Sequence, residues 1–164
     1  MTEGDNPPVG ILLCTDKGSQ MVEYAVFGEM TYKHRWIKSE AEAFFGKEYT
    51  LQIVAKAYSG KPITDEQRET YKKYLEEKEQ FKEILSNELM CYINDNIQEL
   101  AEHWVAARRV DKIEDLSAVV TPKTLLIKQD GSMLFLLECA WDIENGIAVK
   151  IYPTIAIGSQ DLFL

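Results

Sequence analysis

The chain has 164 residues, of which 46% are hydrophobic and 27% are charged, and its formal net charge is −9. This composition argues against a disordered chain and favours a soluble globular fold that needs no disulfide or metal. The acidic balance argues against nonspecific binding of nucleic acid and against binding to an anionic membrane surface, because both require clustered Lys and Arg.

The negative charge is concentrated in the middle of the chain. Residues 64–115 contain 14 Asp and Glu against 8 Lys and Arg, whereas residues 1–63 contain 8 against 7. Such a segment would attract a basic protein partner, although a solvated helix face has the same composition. Four glutamates represent this expected partner-facing surface: Glu76, Glu77, Glu79 and Glu83.

The sequence suggests neither a targeting segment nor a metal site. The first residues are acidic and lack an apolar signal core, and no apolar run approaches the roughly 20 residues of a membrane span. The three cysteines are widely separated, which indicates reduced thiols, and neither histidine has metal-ligand spacing to a cysteine. We therefore expect a cytoplasmic protein that binds no metal and no cofactor.

A strand–helix unit is predicted in residues 1–26. The run PPVGILLC suits a buried strand, and Ser19 can cap a following helix with apolar residues at helical spacing. The unit is too small to fold alone, so we expect it to dock on residues 27–164, the second predicted domain.

The string GDNPPVGILLCTDKGSQMVEYAV, residues 4–26, resembles the late core strand and helix of predicted PD-(D/E)xK nucleases. The resemblance implies a metal-binding Asp and an E-x-K pair ahead of this segment. Too few residues precede Pro7 to supply them, and Glu138 has Ala140 where a Lys is needed. We therefore expect a nuclease remnant without catalytic residues.

Two strands are predicted after this unit. Alternating large side chains indicate one strand around residues 30–37 and another at residues 49–57. The two are expected to be antiparallel neighbours, with a helical turn or loop at residues 40–48 that Gly46 interrupts.

A helical centre follows. Thr64 and Gln67 fit the capping box, so a helix should begin near residue 65. The apolar stripe continues to residue 104, which is too long for one ordinary helix, so we predict a break between residues 75 and 80. A second possible break lies at Ser86-Asn87. The cations expected at the C-terminal end of the helical centre are Arg108 and Arg109.

From residue 119 the pattern returns to period two and predicts an antiparallel meander of three or four strands. Asp130-Gly131 and Asn145-Gly146 are predicted hairpin turns, the second of type I′, and Pro153 sets the entry of an edge strand. The expected fold class is α+β, with one or more antiparallel sheets packed on a long central helix or helix pair and a C-terminal β-meander.

Residues 27–164 resemble an uncharacterised bacterial domain family whose late strands carry the motifs W-D-x-E-x-G and I-G-x-Q-D. The resemblance implies an association with immunity genes of polymorphic toxins and no assigned activity. The motifs supply the candidate binding residues, together with Gly158: Trp141, Asp142, Glu144, Gly146, Gln160 and Asp161.

These residues allow two interpretations. In the first they are structural: Trp141 packs on the sheet, Asp142 accepts backbone N–H bonds in the turn, and Asp161 bonds back to that turn. In the second, Asp142, Glu144 and Asp161 form an acidic patch that contacts a ligand, a cation or a partner.

We expect a non-enzymatic protein-binding module, and in its narrowest form an immunity or inhibitor protein for a basic toxin. The alternative is a metal-dependent hydrolase or ligand-binding domain that uses the acidic turn residues. A scaffold that forms a homo-oligomer is a third hypothesis.

Overall fold

The computed structural model describes residues 31–32, 35–57 and 61–164, and these residues contain one sheet of seven strands arranged in chain order. The predicted strand–helix unit of residues 1–26 lies outside them. The strands are β1 (Thr31–Tyr32), β2 (Arg35–Phe44), β3 (Lys47–Lys56), β4 (Val120–Ile127), β5 (Met133–Cys139), β6 (Asp142–Tyr152) and β7 (Ala156–Ser159).

Three α-helices connect β3 to β4, so the domain mixes helices and sheet as the α+β prediction requires. They are α1 (Asp65–Glu76), α2 (Lys78–Asp95) and the single turn α3 (Ile97–Leu100). A 3-10 helix follows at Ile113–Ala118, and another lies at Gln160–Leu162. None of the helices described is both long and apolar enough to cross a membrane.

Strands β2 and β3 form a long hairpin. They are antiparallel neighbours, as predicted, with Glu42 opposite Tyr49. The helical turn or loop expected at residues 40–48 is wrong, because β2 continues to Phe44 and the chain reverses at Phe45-Gly46, whose φ angles are 53° and 80°. Two consecutive positive φ angles match the twist of a two-residue hairpin turn. A bulky Phe is unusual at such an angle, so the sequence does not indicate this turn.

The strand predicted around residues 30–37 is also wrong as a single element. The short strand β1 pairs antiparallel with the start of β2, with Tyr32 opposite Trp36. Tyr32 and Trp36, two of the alternating large residues, therefore belong to two paired strands and not to one.

The sheet is mixed rather than wholly antiparallel, which corrects the sequence prediction. Strands β3 and β4 pair in parallel, with Gln52 opposite Thr124. The reason is the long connection through α1, α2 and α3, since only a crossover of this length can return a chain to a parallel neighbour.

The helical centre is divided where the sequence predicts its main break. Helix α1 begins after Thr64, whose hydroxyl accepts a hydrogen bond from Gln67 N, and it ends at Glu76, so that Glu77 separates it from α2. The possible break at Ser86-Asn87 is wrong: Ser86 is buried and its hydroxyl donates to the Lys82 carbonyl one turn earlier, so α2 continues.

The helical region ends earlier than the apolar stripe suggests. Helix α2 ends at Asp95. The Asn94 side chain makes two hydrogen bonds of 2.8 Å to the backbone of Val110, in the coil that follows α3. Arg108 and Arg109 are exposed in this coil, so their predicted place at a helix C-terminus is wrong. Trp104 is buried there without being helical.

The last four strands, β4 to β7, are antiparallel neighbours in chain order, and the predicted turn at Asp130-Gly131 is confirmed. The Asp130 carboxylate accepts hydrogen bonds from the amide and hydroxyl of Ser132. The type I′ turn predicted at Asn145-Gly146 is wrong. The chain turns earlier, at Ala140-Trp141, and Gly146 lies inside β6 with a φ of 72°.

The main core lies between the helices and one face of the sheet. Phe135 of β5 contacts the rings of Phe44 and Tyr74, with centroid distances of 5.6 and 6.4 Å, and Tyr74 is fully buried. The opposite face has a smaller cluster, in which Phe163 packs on Val54 and Leu126. The β5–β6 turn lies near the C-terminal end of α2, since Trp141 of the turn contacts Tyr92 of that helix.

Candidate functional site

The two sequence motifs meet at one backbone carbonyl of β5. The Gln160 side chain donates a 3.1 Å hydrogen bond to the Leu137 carbonyl. A Cβ atom on Gly146 would lie 2.4 Å from the same oxygen and 2.7 Å from Gln160 Nε2. Gly146 is therefore required by close approach, and Gln160 fastens the C-terminal segment to the sheet.

Asp142 fixes the local shape of β6. Its carboxylate accepts a 3.0 Å hydrogen bond from Asn145 N, as the structural interpretation predicts. The Asp142 carbonyl also accepts a 3.6 Å contact from the buried Cys139 thiol, and burial raises the pKa of that thiol to about 11. Cys139 is thus an unreactive packing residue at neutral pH.

Trp141 lies in the β5–β6 turn and connects that turn to the helical region. Its ring centroid is 6.1 Å from Tyr92 of α2 and 5.9 Å from Trp104 in the coil after α3. The sequence predicts that Trp141 packs on the sheet, whereas these two ring contacts are with residues outside the sheet. Tyr92 and Trp104 belong to the apolar stripe of the helical centre, and nothing in the sequence marks either as a neighbour of this turn.

Two aliphatic side chains beside these rings are exposed. Val105 follows Trp104 and is 106% exposed, and Ile143, two residues after Trp141, is 86% exposed. Val105 and Ile143 are one and two residues away in the chain from the two tryptophans whose rings are in contact. We call these five residues the tryptophan patch: Trp104, which is buried, Tyr92 and Trp141, which are half-buried, and Val105 and Ile143, which are exposed.

A family model described as a domain of unknown function, DUF6985, matches residues 26–164. The chain belongs to the DUF6985 family. No curated protein and no solved structure matches the chain. The DUF6985 domain thus includes the whole described sheet, the helices and the tryptophan patch.

Negative charge surrounds the tryptophan patch of this DUF6985 domain. Residues 95–109 and 138–146, which form its two loops and their flanks, contain six carboxylates and two cations, Arg108 and Arg109. Burial raises the pKa of Tyr92, and the negative charges of Glu99 and Asp142 raise it further. These two carboxylates therefore lie close to the Tyr92 hydroxyl. In the described part of the chain, only Glu138 of the six has a cation nearby, Lys123 at 3.9 Å.

The acidic turn residues are only partly brought together in the DUF6985 domain. Glu144 and Asp161 are exposed, and no hydrogen bond ties Asp161 to the β5–β6 turn among the residues described. The part of the chain that the structure describes contains no cluster of three His, Cys, Asp or Glu side chains that could hold a metal ion. The expected bond from Asp161 back to the turn is therefore wrong.

The expected acidic surface on α1 and α2 is interleaved with lysines. Glu77 pairs with Lys73 at 2.9 Å, and Glu79 lies 3.6 Å from Lys82. Glu76 and Glu83 are exposed and have no ion pair with a described residue. This helix surface is therefore a weaker electrostatic feature of the DUF6985 domain than the tryptophan patch.

Proposed function

We propose that this domain is a protein-binding module and that the tryptophan patch is its binding surface. The observation that carries the proposal is the near-complete exposure of Val105 and Ile143 beside the Trp104–Trp141 contact. Aromatic side chains such as Tyr and Trp are enriched among the energetically important residues of interfaces. A purely structural cluster would not require both aliphatic neighbours to face solvent.

The charge around the patch supports a basic partner. Six carboxylates against two arginines in residues 95–109 and 138–146 leave an excess of negative charge in the loops of the patch. Such an excess accelerates the approach of a positively charged protein and selects against acidic ones. In the narrowest form of the proposal, the domain inhibits a basic enzyme such as a nuclease toxin by covering its positive surface.

The apolar part of the proposal is tested with the double variant V105S/I143S. We expect it to lose a partner that the wild-type chain captures from lysate of the encoding organism. The matched control is L75S/I155S, which removes two other exposed aliphatic side chains, 44% and 50% exposed. Calorimetry with the purified partner should show at least tenfold weaker binding for V105S/I143S alone. Equal weakening by both variants would reject the patch as the binding surface.

The electrostatic part is tested by comparing two triple variants. E99Q/E102Q/E144Q removes charge around the patch, whereas E76Q/E77Q/E83Q removes it from α1 and α2. We expect the first variant alone to slow association with the same partner at low salt, because rim charges act mainly on the association rate. If the association rates measured by stopped flow fall only for the second variant, the partner binds the surface of α1 and α2 and not the tryptophan patch.

A further inference from the structure

The longest described stretch without a helix or strand is the coil of residues 101–112, between α3 and the first 3-10 helix. Two anchors hold this coil. Trp104 is buried, and the backbone of Val110 exchanges two 2.8 Å hydrogen bonds with the Asn94 side chain of α2, which we call the Asn94 clamp. Residues 105–109 lie between the anchors, and all but Ala107 are exposed. The coil therefore presents a short exposed segment between two fixed points.

This exposed segment ends in two arginines and is weakly tied to the rest of the domain. Arg108 and Arg109 are both exposed. In the described part of the chain, one backbone-to-backbone hydrogen bond involves residues 105–109, and it runs from Ala107 N to the Trp104 carbonyl at 3.1 Å. Exposed coil with few backbone hydrogen bonds is where proteases cleave folded proteins first, because little structure must open to admit the chain to an active site.

The other two arginines of the chain lie in regular structure. Arg35 is the first residue of β2, so the bond that follows it belongs to the ladder with β3. Arg68 lies within α1 and pairs with Asp65 at 2.7 Å. Cleavage after either residue requires a strand or a helix to unfold first. A protease that recognises arginine therefore finds its accessible sites at residues 108 and 109.

The two exposed arginines differ in the bond that follows each of them. The bond after Arg109 leads into Val110, which is 1% exposed and is held by the Asn94 clamp. The bond after Arg108 joins two exposed residues. The Asn94 clamp therefore protects the second bond and leaves the first one accessible.

We propose that an arginine-specific endopeptidase cleaves this domain at the Arg108–Arg109 peptide bond. Arg108 enters the specificity pocket of the protease, and water is added across the C–N bond. The reaction leaves a carboxylate on Arg108 and an amino group on Arg109. The cut lies four residues after Trp104 and therefore releases one end of the segment that contains Val105.

The two products, residues 1–108 and 109–164, should stay associated, because the cut lies outside the sheet. Strand β3 of the first product pairs with β4 of the second, and Phe135 of the second packs on Phe44 and Tyr74 of the first. Cleavage thus loosens the segment with Val105 without unfolding the domain. The effect on a protein partner rests on the proposed function, whereas the cleavage does not.

The site is tested by limited digestion of the full chain with an arginine-specific endopeptidase, and mass spectrometry identifies the first products. We expect residues 1–108 and 109–164. The variant R108K/R109K keeps both charges and should remain intact, whereas the control R68K should be cleaved as fast as the wild type. A first cut after Arg35 or Arg68, or no cut at protease concentrations that cleave the urea-unfolded chain, would overturn the proposal.

The choice of bond is tested with N94A, which removes the Asn94 clamp. We expect cleavage about tenfold faster than in the wild type, with an additional product cut after Arg109, since two hydrogen bonds no longer oppose opening of the coil. N94D keeps the acceptor for Val110 N and should give an intermediate rate. Thermal melting establishes that each variant is folded. If N94A is cleaved at the wild-type rate and at the same single bond, the assigned protection is wrong.

The consequence of cleavage is tested with the purified cleaved protein. Size-exclusion chromatography should give one particle of the intact size, and calorimetry should show about fivefold weaker binding of the partner, because the loosened segment must be ordered again on binding. Uncleaved R108K/R109K should bind as tightly as the wild type. Equal affinity of the cleaved and intact chains would refute control of the tryptophan patch. Failure of the intact chain to capture any partner would instead refute the proposed function, and the digestion result would stand.

Discussion

Two glycines of this sheet have similar backbone angles and different surroundings. Gly46, in the β2–β3 turn, has a φ of 80°, and Gly146, in β6, has a φ of 72°. A Cβ on Gly46 would meet only Glu114 Cγ, at 3.6 Å, whereas a Cβ on Gly146 would overlap the Leu137 carbonyl at 2.4 Å. The pair therefore separates the cost of the backbone angle from the cost of lost space.

We expect Gly46→Ala to lower the free energy of unfolding by about 1 kcal/mol, since it adds only backbone strain. Gly146→Ala should lower it by about 3 kcal/mol, because the new Cβ also displaces Gln160 and breaks its hydrogen bond to Leu137. Urea denaturation of the two variants measures both values. Equal losses would mean that the space around Gly146 has no energetic importance.

At the scale of elements, one side chain joins the start of α1 to the ends of two strands. Gln67 is fully buried, and its amide nitrogen donates to the Lys56 carbonyl at 2.6 Å and to the Ile127 carbonyl at 3.0 Å. Its amide oxygen accepts a hydrogen bond from Thr64 N. The capping residue thus also fastens the helix to the parallel pair β3 and β4.

Gln67→Glu keeps the shape and the capping acceptor but replaces the donor group with an acceptor. We expect it to lower the free energy of unfolding by about 4 kcal/mol at pH 7, since a buried carboxylate would face two carbonyl oxygens. The loss should diminish at acidic pH, because a protonated Glu can donate one hydrogen bond. The exposed change Gln80→Glu is the control, and a similar small effect of both in urea denaturation would contradict this role.

At the scale of the whole molecule, a buried ion cluster fixes α2 on the sheet. Glu42 of β2 is 7% exposed and accepts hydrogen bonds from Lys78 at 2.6 Å and Lys82 at 2.9 Å. Burial disfavours the ionised carboxylate, but the two lysines outweigh this and lower the pKa of Glu42 below its usual 4.5. The lysines that face Glu42 are therefore not free to act as a basic surface.

Because ionised Glu42 is favoured in the folded chain, its contribution to stability is present above pH 4.5 and is lost as the pH falls toward the folded-state pKa. Glu42→Gln should lower the free energy of unfolding by about 3 kcal/mol at pH 7, since it leaves two lysines without their partner. The difference from wild type should narrow below pH 4.5. Urea denaturation across pH measures this difference, with the exposed Glu83→Gln as a control that should leave the free energy of unfolding at pH 7 nearly unchanged.

Several features of the fold could be predicted because they depend on neighbouring residues. The capping box at Thr64 and Gln67 and the turn at Asp130-Gly131 are local hydrogen-bonding patterns, and both are confirmed. The break in the helical centre near Glu77 follows from a stretch without apolar side chains. The period-two pattern after residue 119 likewise gave the C-terminal strands but misplaced the turn between β5 and β6.

The candidate site was predicted only in part, because its members are distant in the sequence. The motifs indicated Trp141 and Gly146, but Tyr92 and Trp104 come from a helix and a coil that only folding brings to the β5–β6 turn. Nothing local marks Val105 or Ile143 as exposed, since isolated aliphatic residues are normally expected inside.

The sequence by itself determined where α1 begins, the main break of the helical centre, β3, the C-terminal strands and the acidic balance, since local hydrogen bonds, side-chain periodicity and composition decide these properties. The tertiary structure alone decided the parallel pairing of β3 with β4 and the close approach of Gly146 to the Leu137 carbonyl. It also placed Arg35 opposite Lys56. These contacts join residues far apart in the chain, so their energies depend on the packing of whole elements.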